Sequence, residues 1–129
     1  MNKLEKESVI GISALLVHAA KIDEIYSEHE KDLVKSFIKS YLKDNDINET
    51  LKKAEEIENN SNQLLNFTNI IKQNPIDIKK DIVEHLWKVI ISDNTVDQYE
   101  SNLMRRICGL IYFPDKECAE IKLKLMNSK

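Results

Sequence analysis

The residues best suited to chemistry fall in two short acidic segments, Asp23-Glu24-Ile25-Tyr26-Ser27-Glu28-His29-Glu30 and Asp93-Asn94-Thr95-Val96-Asp97-Gln98-Tyr99-Glu100. Each has Asp at its first position, Ser or Asp at its fifth and Glu at its eighth. Carboxylate and hydroxyl oxygens are the donors that hard cations such as Ca²⁺ and Mg²⁺ take, and these ions need several donors at once. One segment alone has too few for a cage. Its spacing also departs from the EF-hand loop, which wants acids at positions one, three and five, Gly at six and a bidentate Glu at twelve. Brought together, Asp23, Glu30, Asp93, Asp97 and Glu100 would share one divalent cation, which would relieve their mutual repulsion.

Helix capping is the competing explanation. Ser27 or Asp97 at an N-cap, followed three residues later by Glu30 or Glu100, is the capping-box pattern that satisfies orphan amides at a helix start. Capping does not require Asp23 or Asp93, four residues before each cap; an ion site does. At an offset of 70, residues 14–38 and 84–108 share Leu16/Leu86, Asp23/Asp93, Glu30/Glu100 and Leu33/Leu103. That overlay suggests two related helix-loop-helix units with equivalent acidic connections.

The elements that must position these segments are helices. The chain has 129 residues, 42% hydrophobic and 32% charged, which fits one soluble domain over residues 1–129. Two Gly and two Pro are too few for the tight turns of a sandwich, barrel or doubly wound sheet, so an all-α fold is expected. Leu4, Ser8, Ile12, Leu15, Ala19 and Ile22 mark a first helix, and Leu33, Phe37 and Tyr41 with Val34, Ile38 and Leu42 a second over about 28–43. Leu51, Ala54 and Ile57 predict a solvated surface helix within Lys43–Gln63. Leu64, Phe67, Ile70 and Ile71 form a fourth, stopped at Asn74-Pro75. Ile78, Ile82, Val83, Leu86, Trp87, Val89 and Ile90 form a fifth, read as the most buried and central. Leu103 to Ile111 supply a sixth, ended by Phe113-Pro114, and Cys118, Ile121 and Leu125 a short seventh.

The remaining chemistry-bearing residues form weaker patterns. A net charge of −3 does not favour phosphate backbones, so nucleic acid is not the expected partner. Cys108 and Cys118 stand ten apart, in neither a CxxC pair nor zinc-site spacing, and read as no close dithiol. Cysteine usage points to a reducing, cytoplasmic setting. The apolar run Val9–Ala20 is far short of the roughly 20 residues a bilayer needs, so no membrane span is expected. His18 and His85 flank apolar faces and read as partly buried and hydrogen-bonded, His29 as exposed. Gly11 and Gly109, both inside apolar helical runs, read as close helix-packing positions. No Gly-x-Ser-x-Gly elbow accompanies Ser13, Ser27 or Ser92, and a non-enzymatic role is expected.

The stretch Ala14-Leu15-Leu16-Val17 through Asp23 and Glu30, then Leu86-Trp87-Lys88-Val89 followed by Asp93, Asp97, Tyr99-Glu100, Leu103 and Arg105-Arg106, resembles the TerB-like tellurite-resistance family. The resemblance implies an all-α bundle of about seven helices with a metal site in the acidic loops. By that resemblance Asp23, Glu30, Asp93, Asp97 and Glu100 are the candidate ligand positions, and their hard oxygen donors suit Ca²⁺ or Mg²⁺. The family usually has Gly after the aspartate, where Glu24 and Asn94 stand here. Asn tolerates a left-handed turn and Glu does so poorly, which makes the second loop the safer site. Tellurite is an oxyanion that carboxylates would repel, so the expected role is a stress-linked one, sensing an ion or docking a protein partner.

Overall fold

Apolar residues at helical spacing, broken by polar or proline-containing connections, give the architecture seen in the computed structural model, which describes residues 6–21, 27–42, 47–60, 65–91 and 98–127. The described elements are α1 (Lys6–Ala20), α2 (Glu28–Tyr41), α3 (Ile47–Asn60), α4 (Leu65–Lys72), α5 (Ile76–Ile91), α6 (Gln98–Leu110) and α7 (Asp115–Asn127), with no strand among the described residues. The chain is an all-α bundle. None of these helices is long and apolar enough to cross a membrane.

α1 packs against α2, α3, α4 and α5, while α5 packs against α1, α2, α6 and α7. α5 is central, as its broad apolar face predicts, but α1 is buried more completely. Every residue from Val9 to Val17 is buried, Ser13 included. The reason is visible in the sequence: Val9–Val17 is apolar nearly all round, and such a helix belongs inside. Reading only one stripe of it understated its place. α3 is the surface helix expected: Leu51 and Ala54 are buried and the helix lies along α1, while Lys52, Lys53 and Glu56 are exposed, as is Ile57 of the predicted stripe.

Gly11 fulfils the close-packing expectation, since a Cβ there would lie 2.4 Å from Ile70 Cδ1 on α4. Gly109 does not: it is exposed, and a Cβ would meet nothing within 4 Å. Its place near the end of α6 belongs instead to a Schellman turn. There the Phe113 N–H donates to the Cys108 carbonyl at 2.8 Å and the Tyr112 N–H to that of Gly109 at 3.4 Å. Tyr112 holds the left-handed position at φ 61°, and Pro114 follows, so the helix cannot resume.

Candidate functional site

Of the five acidic positions expected to hold a cation, only the Glu30 side chain lies within the described residues. Asp23, Asp93 and Asp97 fall outside them, and Glu100 lies in the first turns of α6 with its side chain outside them too. Glu30 is buried at the third position of α2. Ser27 is the N-cap, with extended backbone at φ −80° and ψ 165°. The Glu30 N–H donates to Ser27 Oγ at 3.2 Å, while the Ser27 N–H and hydroxyl donate to Glu30 Oε1 at 2.8 and 3.1 Å. The capping box expected at the first segment is therefore formed. It engages the Glu30 carboxylate through Oε1. Among the described residues no group of three or more His, Cys, Asp or Glu side chains is placed to hold a metal.

The contact between α2 and α5 fixes where this cap sits. Tyr41 O–H donates to Asp81 Oδ2 at 2.5 Å, and one turn back on α2 the Phe37 ring meets His85 edge-on at 5.2 Å. Four residues back on α2 correspond to four forward on α5, so the helices run antiparallel. Carried two more turns, about 10 Å at 1.5 Å per residue, this register sets Glu30 level with the end of α5 at Ile91. The start of α2 and the end of α5, each bordering one acidic segment, therefore lie toward the same end of this helix pair.

Polar partners secure the contact. His85 Nδ1–H donates to the Asp81 carbonyl at 2.9 Å, and the Phe37 and Tyr41 rings meet tilted at 50° with centroids 5.0 Å apart. Burial first, then the hydrogen bond to Asp81, push the Tyr41 phenol above its ordinary value. At the C-terminal end of α1, Glu58 of α3 receives His18 Nδ1 at 3.3 Å and Lys21 Nζ at 2.8 Å. His18 and His85 are thus partly buried and hydrogen-bonded, as their flanks predicted, and His29 is exposed.

The reading of the cysteines is corrected. Cys108 and Cys118 are both buried, and their sulfurs lie 3.0 Å apart, a close dithiol that spacing alone did not reveal. The Schellman turn after α6 folds α7 back, which brings position 118 onto position 108. Trp87 is core, as expected, yet its indole N–H donates to Cys118 Sγ at 3.3 Å, and Lys122 Nζ lies 5.4 Å from the ring centre. The only sequence signal was the presence of two cysteines either side of a helix stop.

A bundle of helices, with no strand among the described residues, defines the class. The chain matches the family model described as Tellurite resistance protein TerB over residues 10–123, and it belongs to that family. No curated protein and no solved structure matches it.

Proposed function

We propose that this chain is a non-enzymatic binding domain of the TerB family, acting in the cytoplasm, in which the two acidic segments together hold one divalent cation, Ca²⁺ or Mg²⁺. Asp23, Glu30, Asp93, Asp97 and Glu100 supply hard oxygen donors, and the bound ion alters the surface offered to a protein partner in a stress response. The observation that supports this reading is the antiparallel register of α2 on α5, which runs the start of α2 toward the end of α5. The family match supports it by spanning both segments. The Glu30 carboxylate is a hard oxygen donor of the kind such an ion takes.

Calorimetric titration of the metal-stripped chain with Ca²⁺ and with Mg²⁺, repeated on Asp23→Asn and Asp93→Asn, tests it. Saturable binding of about one ion, weakened in both variants, is the expected result. Absence of heat at millimolar ion rejects it. A second reading, an interaction module whose acids serve only as caps, is favoured by the formed Ser27–Glu30 box. It predicts ion-independent stability that falls by about 1 kcal/mol in Ser27→Ala.

A further inference from the structure

The thiol pair owes nothing to the acidic segments or to the reading built on them. Cys108 lies in α6 and Cys118 in α7, with sulfurs 3.0 Å apart; a disulfide needs them only about 1 Å closer. Cys118 Sγ accepts from two donors, the Cys108 S–H and the Trp87 N–H, so it is the sulfur prepared to carry negative charge. Cys118 also lines a cleft of about 420 Å³ with Trp87, Ser101, Arg105, Asp115 and Lys122, whereas Cys108 is fully buried. One thiol is reachable from a cleft with two cationic side chains; the other is enclosed and in contact with it. That division is the one between attacking and resolving cysteines.

We propose that Cys118 and Cys108 form a peroxide-reactive dithiol site, in which Cys118 attacks hydrogen peroxide and Cys108 resolves the product into an intramolecular disulfide. In the first step the Cys118 thiolate bonds to one peroxide oxygen and the O–O bond breaks. Cys118 becomes a sulfenic acid, and the departing hydroxide takes a proton to leave as water. In the second step the Cys108 sulfur attacks Cys118 Sγ and the S–O bond breaks. The Cys108 proton leaves with the hydroxyl as a second water. Two electrons pass from the two thiols to the peroxide. Arg105 and Lys122 favour the departing hydroxide by charge.

The surroundings favour the thiolate at Cys118 over that at Cys108. The hydrogen bond from Cys108 is the main cause that lowers the Cys118 thiol to about 7, aided by Trp87 N–H and Lys122 and opposed by burial and Asp115. Cys108 is pushed up, first by donating to Cys118 and then by burial. The groups facing the pair are Trp87 from α5, Arg105 from α6, and Asp115 and Lys122 from α7.

The test oxidises the reduced full chain with hydrogen peroxide, follows Trp87, the single tryptophan, by fluorescence, and weighs the product by intact mass. Wild type is expected to lose two hydrogens, form no disulfide between chains, recover with dithiothreitol, and react faster as pH rises through about 7. Cys108→Ser should stop at a sulfenic acid that dimedone traps, and Cys118→Ser should react roughly tenfold more slowly. Trp87→Phe, which lacks the fluorophore and is followed by intact mass alone, should slow the reaction several-fold and move its pH inflection up. Disulfides formed only between chains, or wild-type rates no faster than those of an exposed cysteine peptide, would overturn the proposal. The wild-type mass decides the matter even if a serine at either position unfolds the chain.

Discussion

Two polar contacts face the central helix α5, and they are built from opposite materials. Against α2, α5 presents Asp81 and His85, hard oxygen and nitrogen groups met by Tyr41 and the Phe37 ring. Against α7 it presents Trp87, whose N–H meets Cys118, a soft sulfur already contacted by Cys108. The first contact joins residues 40 apart and sets the register of two long helices; the second joins α5 and α6 to α7 beside a cleft. Hard, directional hydrogen bonds define which helix slides where, whereas polarisable thiols next to a cleft leave chemistry available. The difference teaches that a polar group in a bundle interface is best read by what it touches and whether solvent reaches it.

Removing the apolar centre of the first contact should do the most damage. Phe37 has no exposure, and Phe37→Ala should cost about 3–5 kcal/mol in denaturant unfolding, with loss of the α2 register. A loss well under that range would mean that α2 is held elsewhere, and would weaken the argument that the start of α2 lies toward the end of α5. Tyr41→Phe is the milder change and should cost about 1–2 kcal/mol by removing a hydrogen bond to a charged acceptor.

That same bond has a pH signature. Because the folded phenol titrates above its ordinary 10.0, the unfolded chain releases this proton first as pH rises. The contribution of Tyr41 is therefore complete below pH 10 and is lost as pH climbs from there toward the folded value. Unfolding midpoints across pH 8 to 11 should show the decline in wild type and a shallower one in Tyr41→Phe. The smallest effect belongs to the second region. Gly109→Ala, at an exposed helical site with open space around it, should stabilise by about 0.5–1 kcal/mol. A destabilisation there would show that α6 needs the glycine for its turn.

Much of the fold was legible because helices announce themselves locally. The periodic rows at Leu33, Phe37 and Tyr41 and the broad face of Ile78 to Ile90 needed no tertiary knowledge, and both prolines stand where a helix stops. The depth of α1 was also written in its sequence, where Ser13 is the one polar residue of Val9–Val17, but one-stripe reading hid it. Contacts between helices were not legible. Nothing local links Tyr41 to Asp81, and the ten-residue gap between Cys108 and Cys118 matches no helical neighbour spacing, since a Schellman turn with a non-glycine at its left-handed position intervenes. At the candidate cation site, the capping role of Ser27 and Glu30 followed from their spacing, whereas the shared end of the helix pair required the α2–α5 register.

The most direct measurement of the central claim is paramagnetic broadening of amide resonances by Mn²⁺ in the metal-stripped chain. One shared site predicts that the Glu30 and Ile91 amides broaden together at the same low Mn²⁺ concentration, and that Asp93→Asn weakens both. Broadening confined to one of them, or unaffected by Asp93→Asn, would contradict a single cation held between the two acidic segments.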